Sequence, residues 1–122
     1  MVWELDSDRP IYAQLIEQIK LRILTGVYPA GSRLPSVRDM AAEAAVNPNT
    51  MQRALAELER ENLVQTARTS GRFITDDEGM IAKMKESMAK EMIQAFFEKM
   101  SDLGYGVDET LSIIETAVKE MN

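Results

Sequence analysis

The sequence predicts a mainly α-helical protein with one small β-hairpin. Three observations support this prediction. Apolar residues recur at helical spacing in several segments, two short central segments carry helix-capping residues in succession, and a Gly-containing turn then separates two short apolar runs. At 122 residues the chain can form one core of ordinary size with an extension, but not two full domains.

The first two helices are predicted from apolar periodicity and from capping residues. Residues 10 to 25 repeat apolar side chains at helical spacing, and Gly26 is a typical stop. The second helix reaches about Ala45. At its start Ser36 and Asp39 form a capping box, in which the hydroxyl and the carboxylate each satisfy a free backbone N–H.

Asn47 and Pro48 indicate that a third helix begins almost at once, with an N-cap followed by proline at the first helical position. Its apolar residues are spaced for one buried face: Met51, Ala54, Leu55 and Leu58. At about 100° per residue, the following residues lie on the opposite face: Asn49, Gln52, Arg53, Ala56 and Arg60. Because Asn and Gln recognise adenine and Arg recognises guanine in the major groove, this face is a candidate reader of DNA. An ordinary solvated surface is the alternative.

Residues 63 to 75 are predicted to form a hairpin, because two short apolar runs flank a turn of small residues that contains Gly71. Arg68 and Arg72 flank this turn, where a guanidinium can enter the minor groove or contact phosphate. Many surface arginines have no such role, so the turn alone is weaker evidence than the third helix.

Residues 76 to 122 are predicted to form two helices separated by a break at residues 104 to 106. Five of the nine methionines lie between Met80 and Met100. Two helices cannot cover such apolar faces by themselves, so we expect a second copy of the chain to cover them. The residues expected at this dimer interface are Met84, Met88, Met92, Phe96, Leu111, Ile114 and Val118. Packing against the amino-terminal part of the chain is the alternative.

The distribution of charge separates the two parts of the chain. The net charge of −6 argues against a nucleic-acid partner, since phosphate repels an acidic protein. However, residues 1 to 75 carry nine basic and nine acidic side chains, whereas residues 76 to 122 carry five basic and eleven acidic ones. The acidic excess is therefore confined to the tail, and the neutral part is the one predicted to meet DNA.

The absence of cysteine and histidine limits the chemistry of the chain. Disulfides and thiolate zinc sites are excluded, and the commonest general base and nucleophile pairs are missing. A carboxylate or lysine enzyme is possible in principle, but no spacing indicates one. We expect no enzyme activity, no metal and no cofactor. No apolar stretch approaches the roughly 20 residues of a membrane helix, and no secretory signal precedes the first helix, so we expect a cytoplasmic protein.

These residues together resemble the GntR family of bacterial transcription regulators. Residues 9 to 74 are similar to its winged-helix domain. The specific segments are residues 26 to 38, with the pattern G-x-Y-x-x-G-x-x-L-P-S-x-R, and residues 46 to 54, with V-N-P-N-T-x-x-R-A. The tail resembles that of the YtrA subfamily, which serves mainly dimerisation and lacks a large ligand-binding domain. Thr69 and Arg72 depart from the family, which commonly has Gly and Thr there. Since a β-branched residue resists positive φ, Thr69 raises a question about the turn.

The resemblance implies a winged helix-turn-helix DNA-binding domain at residues 1 to 75 and a helical dimerisation hairpin at residues 76 to 122. It also implies that Arg38, the start of the third helix and the hairpin tip touch DNA. We predict contacts to base edges from Arg38, Asn49 and Gln52. We predict contacts to the DNA backbone and at the hairpin tip from Ser36, Thr50, Arg53, Arg68, Ser70, Gly71 and Arg72.

The predicted function is sequence-specific regulation of transcription by a homodimer that represses by binding an inverted-repeat DNA operator. Two alternatives stay open. The tail could bind a small effector among Met84, Met88, Met92 and Phe96, since methionine surfaces adapt to ligands. The winged helix could instead serve as a protein-interaction module without nucleic acid.

Overall fold

The computed structural model describes residues 2 to 122, which form five helices and one two-stranded antiparallel hairpin. In chain order the elements are α1 (Ile11–Leu24), α2 (Val37–Ala44), α3 (Pro48–Arg60), β1 (Val64–Ala67), β2 (Gly71–Ile74), α4 (Glu78–Asp102) and α5 (Val107–Met121). The predicted fold class, mainly helical with one small hairpin, is confirmed. None of the helices in the described residues combines the length and the apolar character needed to cross a bilayer.

The chain divides into two compact units, the first ending at Lys83 and the second comprising Met84–Asn122. The division falls inside α4, so the first residues of this helix belong to the first unit. The assignment of residues 1 to 75 to DNA binding and of residues 76 to 122 to dimerisation concerns function, and it stays a prediction.

Capping residues set the starts of α2 and α3. The Ser36 hydroxyl accepts a 3.1 Å hydrogen bond from the Asp39 backbone N–H, as predicted. The return bond predicted for the Asp39 carboxylate is not formed within the described part of the chain, so Ser36 alone caps α2. At α3, Asn47 Oδ1 accepts from the Asn49 N–H at 2.8 Å and Pro48 takes the first helical position, which confirms the prediction.

The turn between α2 and α3 is tight because Ala45 adopts a left-handed conformation with φ of 57°. The next residue, Val46, returns its N–H to the Ala41 carbonyl at 2.9 Å, which satisfies a carbonyl at the end of α2. This closure leaves only three residues between the end of α2 and the start of α3. The two short helices therefore keep a fixed geometry.

The hairpin, here called the wing (residues 64 to 74), pairs Val64 with Ile74 at its base and Ala67 with Gly71 at its tip. The loop before α2 lies along its second strand. The Leu34 N–H donates to the Arg72 carbonyl at 2.8 Å, and the Ile74 N–H donates to the Ser32 carbonyl at 2.8 Å. The sequence carries no signal for this pairing, which attaches the start of α2 to the wing.

The first three helices and the wing share one apolar core. α3 packs against α1, α2 and β1, and the wing strands pair with each other. The fully buried side chains, each no more than 2% exposed, are Leu15, Ile19, Ile23, Met40, Ala41, Met51, Ala54, Leu55, Leu58, Leu63, Val64 and Ile74. Because α3 is at the centre of this core, the burial of one of its faces fixes which face points outward.

Residues 2 to 9 form an arm held on α1 by two glutamines one helical turn apart. Gln14, which is 0% exposed, accepts from the Asp6 N–H at 2.6 Å and donates to the Asp6 carbonyl at 2.8 Å. Gln18 makes the same pair of bonds with the backbone of Glu4. The side-chain amides thus bind the arm as a neighbouring strand would.

The arm also connects α1 to α2 through Trp3. Its indole Nε1 donates to the Glu43 carboxylate at 3.0 Å, and its ring centroid lies 3.8 Å from the Arg22 guanidinium carbon. Arg22 is only 3% exposed, donates to the Tyr28 hydroxyl at 2.9 Å and approaches Glu43 at 3.7 Å. The buried charge of Arg22 is therefore compensated by an aromatic ring, a hydroxyl and a carboxylate.

Candidate nucleic-acid interface

The burial of one face of α3 determines what its other face presents to solvent. The four residues predicted to be buried, Met51, Ala54, Leu55 and Leu58, are each 0% exposed, which confirms the predicted orientation of the helix. Asn49, Gln52 and Arg53 are exposed. The first two turns of α3 therefore offer amide and guanidinium groups to a ligand in solvent, as a helix in a major groove requires.

Arg53 is held in place by an aromatic ring from α1. Its guanidinium carbon lies 4.7 Å from the centroid of the Tyr12 ring, within the range of a cation–π interaction. This contact limits the conformations of an otherwise mobile side chain while leaving it exposed. Thr50, the other predicted backbone contact at the start of α3, is half-buried.

The start of α2 and the wing form one cleft of about 470 Å³. Ser36, Gly71 and Arg72, three of the predicted DNA contacts, line it together with Arg33. Ser36 caps a helix whose first backbone N–H groups point outward, and such groups bind anions such as phosphate. Arg38 is exposed on the first turn of α2. The structure thus brings residues from distant parts of the sequence to one edge.

The wing turn is formed without strain at Thr69. Among the described non-glycine residues, positive φ occurs at Ala45 and Asn62, whereas Gly71 takes φ of 91° in the turn. The glycine that the family commonly has at the position of Thr69 is therefore not needed for this geometry. Arg68 and Ser70 are exposed at the tip, where the prediction requires them to be.

Arg72 has a protein partner. Its Nε lies 2.8 Å from Glu59 Oε1 of α3, and its side chain is only 23% exposed. The same carboxylate oxygen accepts a 2.6 Å hydrogen bond from the Thr66 hydroxyl of β1. The contact of Arg72 with the DNA backbone stays a prediction. A phosphate would have to bind a guanidinium that already pairs with Glu59.

These contacts change the acidity of Glu59. Partial burial of the carboxylate by itself raises its pKa, but the hydrogen bonds from Thr66 and Arg72, together with the positive charge of Arg72, outweigh this effect. The pKa of Glu59 is therefore below its ordinary value of 4.5, and the carboxylate is ionised at neutral pH.

Arg33 and Glu59 are functional candidates that the sequence pattern did not single out. The Arg33 guanidinium lies against Gly71, where an added Cβ would be 3.3 Å from Arg33 Nε. In the sequence, Arg33 is one of nine basic residues in a segment without net charge, and nothing else distinguishes it from the others. For Glu59 there was none, because its partner lies 13 residues away on another element.

The residues predicted for dimerisation lie on α4 and α5. Met92, Phe96, Leu111 and Val118 are 62%, 42%, 46% and 50% exposed, and Met84, Met88 and Ile114 are half-buried. Their side chains are available to a partner, and their place in a dimer interface stays a prediction.

Comparison with known proteins gives the family. Residues 11–74 match the model of the family described as bacterial regulatory proteins, gntR family, which is just over half of the chain. The HTH-type transcriptional regulator YhcF of Bacillus subtilis is 37% identical over 113 residues, covering 93% of each chain. The HTH-type transcriptional repressor YtrA of the same organism is 38% identical over 97 residues, covering 75% of each chain.

A solved structure supports the same assignment. A GntR family transcriptional regulator from Listeria monocytogenes superposes with a TM-score of 0.85 at 37% identity, covering 92% of this chain and 98% of that one. The similarity to relatives extends through the tail, since the matches to YhcF and to the Listeria protein span nearly the whole sequence. The chain therefore belongs to the GntR family and is a DNA-binding transcription regulator, not an enzyme.

Proposed function

We propose that this protein is a homodimeric repressor that binds an inverted-repeat operator through α3 and the wing. The observation that supports this most is the outward placement of Asn49, Gln52 and Arg53, opposite a face of α3 that is completely buried. Since amides and guanidinium groups recognise base edges in the major groove, Asn49, Gln52 and Arg38 are the proposed base contacts. The name of YtrA, a transcriptional repressor, supports repression as the outcome.

The proposed contacts to the DNA backbone surround this helix. Ser36 and Thr50 lie at helix starts, and Arg53, Arg68 and Ser70 are exposed. We add Arg33, because it lines the cleft between the wing and the start of α2. Such contacts fix the position of the protein on the duplex and make affinity fall as the salt concentration rises.

The proposed dimer uses the apolar faces of α4 and α5. A twofold dimer places two copies of α3 in related orientations, and such a protein prefers a palindromic site. A transcription regulator works where the chromosome is, so we place the protein in the bacterial cytoplasm. The acidic excess of the tail favours a location away from the phosphates.

Selection of bound sequences from a random DNA pool tests this function. We expect the full chain to enrich one inverted repeat. The double variant Asn49→Ala, Gln52→Ala should enrich none, whereas the control Lys90→Gln, at an exposed position of α4, should enrich the same repeat. Enrichment of a single asymmetric site would contradict the twofold arrangement. Failure to enrich any sequence would favour the protein-interaction alternative.

A further inference from the structure

One carboxylate oxygen of α3 binds both strands of the wing. Glu59 Oε1 accepts from the Thr66 hydroxyl at 2.6 Å and from Arg72 Nε at 2.8 Å. Thr66 and Arg72 are direct partners across the hairpin. The bonds therefore meet at one cross-strand pair of the wing and join it to Glu59, the last residue but one of α3. We call these three residues the clamp.

The ion pair of the clamp is partly shielded from solvent, whereas Thr66 is exposed. The side chains of Arg72 and Glu59 are 23% and 32% exposed, in contrast to the Arg9–Glu17 pair, whose side chains are 51% and 56% exposed. Hydrogen bonds to ionised groups are short and directional, and partial burial strengthens them. An exposed ion pair on the same protein has no comparable effect on orientation, because water competes for it.

The wing needs such support. Each of its strands has only four residues, and an isolated two-stranded hairpin of this kind is at best marginally stable in water. Its base is fixed by burial of Val64 and Ile74, whereas the residues of the tip are exposed. The clamp lies between base and tip, one residue pair from the turn.

We propose that Glu59 is a positioning residue for DNA binding, which acts through Thr66 and Arg72 to hold the wing at the angle that lets α3 and the wing tip contact one duplex together. This proposal rests on the proposed operator binding. It assigns Arg72 to the clamp instead of to direct phosphate contact. Glu59 itself touches no DNA, since its carboxylate would be repelled by phosphate.

The variant Glu59→Gln distinguishes a positioning role of Glu59 from a purely electrostatic effect of its charge, because the two predict opposite changes in operator affinity. Removing one negative charge near DNA tightens binding to any duplex. The clamp instead predicts that operator affinity falls about threefold to tenfold, as for the loss of a partly shielded ion pair, while affinity for random DNA stays equal or rises. Binding is measured by fluorescence anisotropy on a selected operator and on a random duplex of the same length.

A matched control is available on the same helix. Glu57 carries the same charge as Glu59, but it pairs with Arg60 within α3 at 3.2 Å. Glu57→Gln makes the same change in net charge and should leave the ratio of operator to random affinity unchanged. Thr66→Val removes one bond of the clamp with no change in charge, and it should lower this ratio in the same direction as Glu59→Gln.

The salt dependence of binding tests the role of Arg72. If Arg72 contacts phosphate, Arg72→Gln should reduce the slope of log affinity against log salt by about 1. If Arg72 acts through Glu59, operator affinity falls and the slope stays unchanged. Thermal unfolding of each variant confirms that it is folded at the temperature of the assay.

The results distinguish the clamp from the function on which it rests. A wild-type protein that binds the operator no better than random DNA would overturn operator recognition and the clamp together. If the wild type discriminates and Glu59→Gln and Thr66→Val discriminate equally well, the clamp alone is wrong. A salt-dependence slope that is reduced by about 1 in Arg72→Gln would contradict the assignment of Arg72 to the clamp and show that it contacts phosphate.

Discussion

The two compact units differ in where their apolar side chains lie. Among the described residues, all fifteen buried apolar side chains fall between Leu15 and Ile74, in the first unit. In the second unit, Met84–Asn122, the one buried residue is Thr110, and ten large apolar side chains are exposed. The first unit therefore has its own core, whereas the second presents apolar surface of the kind that marks an interface. The difference shows that the first unit is organised around a core, and it supports the proposal that the second unit associates with a second copy.

Truncation of a core residue should have the largest effect. Leu55 is 0% exposed, so Leu55→Ala should lower the free energy of unfolding by about 2–5 kcal/mol, through lost burial and the cavity left behind. Leu111→Ala makes the same chemical change at a side chain that is 46% exposed, and it should cost less than about 0.5 kcal/mol in the monomer. Urea unfolding at low protein concentration measures both. Equal losses would contradict the difference in burial between the two units.

A charge on the exposed face of α4 should act on association. Phe96 is 42% exposed and packs edge to face on Phe97, with ring centroids 5.9 Å apart. Phe96→Asp should weaken self-association by about 2 kcal/mol, or roughly 30-fold in Kd, as for a central interface residue. Sedimentation equilibrium measures this, with Glu86→Gln as a polar control on the same helix. A wild-type chain that stays monomeric at micromolar concentration would refute the dimer.

The arm tests whether the first unit depends on its apolar core alone. Gln14 is 0% exposed and makes three hydrogen bonds with arm backbone groups of Asp6 and Arg9. Gln14→Ala should destabilise the chain by about 1–3 kcal/mol, because it leaves these groups without their partner. Gln18→Ala, at a more accessible position, should cost less. If thermal unfolding shows no change for Gln14→Ala, its hydrogen bonds to the arm add nothing to stability.

The smallest effect concerns pH. The folded-state pKa of Glu59 is depressed, so its contribution to stability is fully present above the ordinary value of 4.5 and is lost as the pH falls through the folded pKa. The difference in stability between the wild type and Glu59→Gln should therefore shrink as the pH is lowered from neutral to well below 4.5. A difference that stays constant over this range would show that the ion pair does not stabilise the fold.

Local signals predicted most of the fold. The Ser36 hydroxyl, Asn47 with Pro48, and the buried positions of α3 act within one helix, so their spacing is sufficient to place them. The hairpin also followed from local signals, since its turn contains Gly71 and its apolar runs are adjacent in sequence. Only the return bond of Asp39 was wrong, because a carboxylate at that position can remain in solvent.

Contacts between distant residues were not predictable from the sequence. The attachment of Ser32 and Leu34 to β2, the two glutamines that bind the arm, and the pair formed by Glu59 and Arg72 all depend on how elements pack. Arg72 illustrates the limit. Its type and position suggested a phosphate contact, but the fold places a carboxylate at 2.8 Å from its Nε.

Operator recognition by the exposed face of α3 is tested most directly by Gln52→Ala. Its affinity for the selected operator and for random duplex DNA is compared with that of the wild type at one salt concentration. We expect the difference in binding free energy between the operator and random DNA to shrink by about 1–3 kcal/mol, because one base pair loses its contact, while binding to random DNA stays unchanged. An equal loss on both duplexes, or no loss on either, would contradict base reading by this face.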